Sequence, residues 1–151
     1  MRETLDVCRA LADSFGQPRW LATVVGVEGS AYRRPGARLL FSAERVLAGA
    51  LSGGCLEREV LRLGPWLTSR GPVVRSFDHR LDEEAGTGSG CDGKIEVLIE
   101  PCGALLEEAL TQVQHELESE RSFTLATLIE SQAPALALGT RFLGNARAEY
   151  H

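Results

Sequence analysis

Three glycine-rich segments of this 151-residue sequence carry the groups best suited to hold an anion or a soft metal. The first is Gly29-Ser30-Ala31-Tyr32-Arg33-Arg34-Pro35-Gly36-Ala37-Arg38. Its glycines let backbone amides approach a ligand, and its arginines present planar, permanently charged donors that match phosphate or carboxylate oxygens. The second is Gly49-Ala50-Leu51-Ser52-Gly53-Gly54-Cys55-Leu56-Glu57. It runs from a strand into a helix start, where free N–H groups and the helix dipole attract anions and lower a thiol's pKa. It is not a P-loop, because no Gly-Lys-Ser/Thr follows. The third, Gly86-Thr87-Gly88-Ser89-Gly90-Cys91-Asp92-Gly93, sets a cysteine among glycines where its sulfur would be accessible. Taken singly, each also reads as a plain turn: surface arginines, a small packed cysteine, a flexible hairpin.

The other reactive residues fall away on position. Cys102 lies beyond a strand of seven residues, so at about 3.3 Å per residue it sits roughly 20 Å or more from Cys91, at the strand's other end. Cys8 belongs to an apolar helix stripe, and His115 points away from one. Asp78, Asp82, Glu83 and Glu84 lack the alternate spacing and central glycine of a calcium loop and read as a solvated face. The four cysteines make no CxxC pair, so their number is not evidence for zinc. His79 is near a candidate loop but has no companion base or nucleophile. The sequence therefore offers thiols, amides and arginines, with no general base.

The elements that must position these loops follow from periodicity. Residues 3–14 form a helix with Leu5, Cys8, Leu11, Ala12 and Phe15 on one face. Residues 19–27 form a buried strand, and 37–42 with 45–48 form a hairpin. A helix starts at Cys55 and runs towards Leu63, where Gly64-Pro65 interrupts it, with a short helical turn over 65–69. Strands follow at 72–77 and 94–100. Residues 104–119 form an amphipathic helix through Leu106, Ala109, Leu110, Val113 and Leu117. Residues 123–129 and 135–142 add two strands. About seven strands and three helices, with strands mostly adjacent along the chain, predict an α+β fold with a mixed sheet in a single domain, 1–151.

The bulk properties agree with one globular domain: 44% hydrophobic and 25% charged residues, with a net charge of −5. That charge argues against a nucleic-acid partner, since phosphate backbones reward a net basic face. No apolar run reaches the roughly 20 residues of a membrane span. The start, Met1-Arg2-Glu3-Thr4-Leu5-Asp6, is unlike a signal peptide, so a cytoplasmic protein with reduced thiols is expected.

Taken in order, the three loops resemble the XdhC/CoxI family of xanthine-dehydrogenase and carbon-monoxide-dehydrogenase accessory proteins. The matching residues are Leu21-Ala22-Thr23-Val24-Val25, Gly29-Ser30, Arg33, Gly36-Ala37-Arg38, Gly53-Gly54-Cys55 with Glu57, and Gly90-Cys91-Asp92-Gly93 running into Val97-Leu98-Ile99-Glu100-Pro101. The family usually has Pro where Tyr32 stands, Gly where Asp92 stands, and often Lys where Arg38 stands. Larger members carry a C-terminal Rossmann domain, and nothing in this sequence shows its Gly-x-Gly-x-x-Gly after a strand.

The resemblance implies a non-enzymatic chaperone that binds molybdenum cofactor (molybdopterin) as a transported ligand and delivers it to a xanthine dehydrogenase-like molybdoenzyme. It also implies a homodimer acting beside a cysteine desulfurase. On that reading Ser30, Arg33, Arg38, Gly53, Gly54, Cys55, Glu57 and Cys91 form the cofactor site. Cys55 is the thiolate facing the molybdenum, Cys91 is a second thiol, and Arg33 and Arg38 neutralise the phosphate. The rival readings are a sulfurtransferase or redox protein acting through Cys55 and Cys91, and a non-catalytic subunit-interaction module.

Overall fold

The computed structural model describes residues 2–78, 93–133 and 135–145. The first helix, α1 (Arg2–Asp13), buries Val7, Cys8 and Leu11. It stops earlier than its apolar stripe suggests: the Ser14 hydroxyl donates to the Ala10 carbonyl at 2.6 Å, and Phe15 turns outward with 77% of its surface exposed. Five strands follow in one sheet: β1 (Trp20–Gly29), β2 (Arg38–Phe41), β3 (Val46–Gly49), β4 (Val73–Asp78) and β5 (Gly93–Pro101). Their order across the sheet is β3-β2-β1-β5-β4, and each neighbouring pair is antiparallel.

Alternation along these strands divides the core in two, because successive side chains point to opposite faces. Ala22, Val24, Leu39, Phe41, Phe77, Ile95, Val97 and Ile99 gather on one face with Leu51, Leu56 and Val60 from around α2 (Cys55–Leu67). Leu21 and Leu40 point the other way, against α1 and α3 (Ala104–Glu118), which contributes Leu106, Leu110 and Val113. The sheet is therefore covered by α2 on one side and by α1 with α3 on the other.

α2 runs unbroken through Gly64-Pro65, where the sequence suggested an interruption. A residue before proline normally avoids the helical region because its Cβ meets the proline ring, and glycine has no Cβ. Gly64 also lets the helix settle onto the sheet, since a Cβ there would lie 2.8 Å from Cζ of Phe41. Trp20 stacks on the same Phe41 with ring centroids 6.0 Å apart. Its indole N–H donates to Thr68 Oγ1 at 3.0 Å, and that hydroxyl donates to the Gly64 carbonyl at 2.8 Å.

The last two strands, β6 (Phe123–Thr127) and β7 (Arg141–Asn145), form a separate antiparallel pair beside α3. Among the described residues, seven strands and three helices make an α+β fold, as the sequence predicts. The strands are shared between two sheets, and among the described residues every pairing is antiparallel rather than mixed. The strand expected over 135–142 lies later, because Leu128 and Gly139 close an irregular turn first, through Leu128 N–H to the Thr140 carbonyl and Gly139 N–H to the Leu128 carbonyl, each 2.8 Å. A buried ion pair ties this unit to the main sheet: Arg141 grips Glu100 at the end of β5 through both terminal guanidinium nitrogens, with Nη1–Oε2 at 3.0 Å. No helix among the described residues is long and apolar enough to cross a membrane.

Candidate functional site

The register of the main sheet fixes where the loops emerge. Arg38 pairs with Thr23, Gly49 with Leu39, Gly93 with Gly29, and Asp78 with Lys94. The connections 30–37 and 50–54, together with Asp78 and Gly93, therefore lie at one end of the sheet. Gly93 abuts the first loop so closely that a Cβ there would sit 2.4 Å from the Ser30 carbonyl oxygen. Cys102 lies at the opposite end, next to Arg19, whose carbonyl accepts its N–H at 2.8 Å. Cys91 and the rest of the third loop before Gly93 lie outside the described residues.

The second loop is held by a single carboxylate. Glu57, on the first turn of α2, accepts the N–H groups of Leu51 (2.8 Å) and Ser52 (2.7 Å) on Oε1. Its Oε2 accepts the Ser52 hydroxyl (2.5 Å) and the Gly54 N–H (3.0 Å). This is the reach-back of a capping-box glutamate. Burial would push the Glu57 carboxyl up; the hydrogen bonds from Ser52 and the neighbouring amides outweigh it and hold the group below the usual carboxylate range. Two expectations change here. The Gly54 amide is already engaged, and Glu57 shapes the loop instead of reaching outward. Gly54 caps the helix at φ 123°, a left-handed conformation that favours glycine. Gly53 is exposed, and Cys55 begins the helix.

The arginines of the first loop face the opposite side of the sheet, towards α1. Arg33 forms an ion pair with Glu3 in the first turn of α1. Arg38 shares the parity of Leu40 along β2 and is half-buried. Among the described residues its hydrogen bond is a long one, Nη1 to the Gly36 carbonyl at 3.3 Å, and it has no carboxylate partner. Burial, then the neighbouring Arg141 cation, lower its pKa from the ordinary arginine value. Between these groups opens a cleft of about 350 Å³, lined by Glu3, Thr4 and residues 32–38. Ser30, at the exposed end of β1, is not among its lining residues.

Sequence reasoning missed Glu3 and Thr23. Glu3 is 30 positions from Arg33, and only the docking of α1 on β2 and β3 brings them together. Thr23 stands across from Arg38, 8% exposed, with its hydroxyl buried and without a hydrogen-bond partner among the described residues. Neither bears a signal in the sequence, since the pairing depends on register and helix docking.

A larger cavity, about 530 Å³, lies at the other end of the sheet between the start of α3 and residues 137–141. It offers apolar surface and carboxylates, and its arginine, Arg141, is already committed to Glu100. Cys8 and Cys102 are poor thiolates. Burial pushes up Cys8, and it takes Cys102 to about 12. Among the described residues no group of three or more His, Cys, Asp or Glu could hold a metal ion.

Comparison with known proteins agrees with this architecture. A probable xanthine dehydrogenase component of Bacillus subtilis (strain 168) is 38% identical over 117 residues, 74% of this chain and 34% of that protein. A crystal structure of a xanthine dehydrogenase from Bacillus halodurans superposes with a TM-score of 0.76 at 31% identity, over 99% of this chain and 44% of that one. The chain thus spans about a third to under a half of these relatives. Residues 14–78, which hold β1 to β4 with the first two loops, match the XdhC and CoxI family. The chain carries an XdhC and CoxI family domain.

Proposed function

We propose that this domain binds molybdenum cofactor as cargo at the loop-bearing end of its main sheet, as an accessory to a xanthine dehydrogenase-like molybdoenzyme. The observation that carries the reading is Arg38, a half-buried cation without a carboxylate partner among the described residues, in a cleft shared with Arg33 and Arg34. A guanidinium so placed favours a planar polyanion, and the cofactor's phosphate supplies one. The cofactor's sulfur-rich molybdenum centre suits a thiolate, and Cys55 opens α2 at the same end of the sheet. Cys91 lies outside the described residues, two positions before Gly93 at this end of the sheet, and we assign it the same chemistry in second place. Ser30 and Gly53, both exposed on these loops, are further contacts in this reading.

Glu57 then acts as a positioning residue: it holds the 51–54 loop and leaves the open face to cargo. The domain carries and shields its cargo, and no reaction is assigned to it. The relatives' association with xanthine dehydrogenase supports such an enzyme as client, and a cytoplasmic setting, a homodimer and a cysteine desulfurase partner belong to the same reading.

The test is survival of the cofactor. Freshly released cofactor is mixed anaerobically with the protein, exposed to air, and assayed over time by reconstitution of a cofactor-free molybdoenzyme. A half-life several-fold longer is expected with the wild-type protein than with Cys55→Ala or Arg38→Gln. Equal decay with all three, or with an unrelated protein of similar charge, overturns the reading.

A further inference from the structure

The Arg33–Glu3 pair sits in a cleft that gathers three arginines. Its geometry is lopsided. One carboxylate oxygen of Glu3 meets Arg33, while the other, Oε1, is buried with no hydrogen-bond partner among the described residues. A buried acceptor left unmade is unfavourable, so this carboxylate is held less well than a two-pronged pair would be. The contrast lies in the same molecule: Arg141 engages both oxygens of Glu100 and is buried with it. Glu3 lines the same cleft as Arg38 without pairing with it.

We propose that Glu3 is a resident counter-ion that occupies the arginine cleft when it is empty and is displaced by the phosphate of an incoming ligand. The inference rests on the reading of this cleft as the phosphate subsite. Without a ligand, Arg33, Arg34 and Arg38 line one cleft, and gathering like charges is unfavourable. A carboxylate from the first turn of α1 offsets part of that charge and ties the loop to the helix. A phosphate bears more charge and more acceptor oxygens than one carboxylate and can engage Arg33, Arg38 and the exposed Arg34 at once. The consequence is a built-in competition: weak anions do not dislodge Glu3, and release of the ligand is assisted by its return.

The test uses inorganic phosphate and pyrophosphate as probes, measured calorimetrically at fixed ionic strength with the wild-type protein and with Glu3→Gln, Arg38→Gln, Arg33→Gln and the Glu3→Gln/Arg33→Gln double variant. Removing a half-exposed competing carboxylate should tighten pyrophosphate binding about fivefold in Glu3→Gln. In the Arg33→Gln background the same change should give under about twofold, because the pair no longer exists. Equal pyrophosphate affinity in wild type and Glu3→Gln overturns the counter-ion role while leaving the phosphate subsite standing. Pyrophosphate binding unchanged in Arg38→Gln, or undetectable in both wild type and Glu3→Gln, overturns the subsite and with it the inference.

Discussion

Replacing Glu57 by glutamine should destabilise the fold in a pH-dependent way. The carboxylate receives four donors, two on each oxygen, and is 9% exposed. A glutamine is nearly the same shape but has one acceptor oxygen. In its best orientation that oxygen keeps the Leu51 and Ser52 amides, and its NH2 group can donate to the Ser52 hydroxyl, which leaves the Gly54 N–H with only its longer bond to the Ser52 hydroxyl oxygen, 3.2 Å. One weakened donor facing an NH2 group and the loss of charge from the remaining bonds cost about 2 kcal/mol together. For a domain of this size each kcal/mol shifts the midpoint by about 2–4 °C, so a fall of roughly 4–8 °C is expected at pH 7. The folded-state pKa of Glu57 is depressed, so its stabilising contribution is present above the unfolded value, about 4.3, and disappears as the pH falls through the folded value. The gap between wild type and variant should therefore close in acid. Urea unfolding at pH 7, 5 and 3 measures it. A difference under about 0.5 kcal/mol at pH 7, or one of equal size at pH 3, refutes the assignment of this carboxylate as the loop's anchor.

Other consequences can be checked in the same preparations. Glu100→Gln strands Arg141 in a buried position and should cost about 3–5 kcal/mol, with amide exchange rising first in β6 and β7; a Glu100→Leu/Arg141→Met double variant should recover most of that loss. Gly64→Ala forces a methyl against Phe41 and should lower stability by about 1–3 kcal/mol with secondary structure by circular dichroism unchanged. Cys102, with its pKa near 12, should resist iodoacetamide at pH 8 in the native state and react after denaturation, as should buried Cys8; mass spectrometry of the alkylated peptides reads both.

Much of this architecture was legible in the sequence because hydrophobic period survives folding. The β-branched run of β1, the stripe of α3 and the hairpin of β2 and β3 each follow from local pattern. The failures have physical causes. Gly64-Pro65 reads as a stop, yet the missing Cβ that makes glycine a breaker lets α2 continue onto Phe41. The irregular stretch before β7 looks like a strand because Ala135, Leu136, Ala137 and Leu138 are apolar, although Leu136 is 44% exposed. At the site, residue types announced the arginines and the helix-start cysteine, and antiparallel register brings their loops to one end. What the types could not announce was partner choice. Glu57 turns back to its own loop, and Arg33 is met by a carboxylate from a helix 30 residues earlier, because both outcomes depend on three-dimensional docking.

The most direct measurement is molybdenum retained per chain after anaerobic loading with freshly released cofactor and desalting, for wild type, Cys55→Ala and Arg38→Gln. Near-stoichiometric retention by the wild type and loss of most of it in both variants are expected, with unchanged circular dichroism. Retention by both variants at the wild-type level, or none by the wild type, would contradict a cofactor site at this end of the sheet.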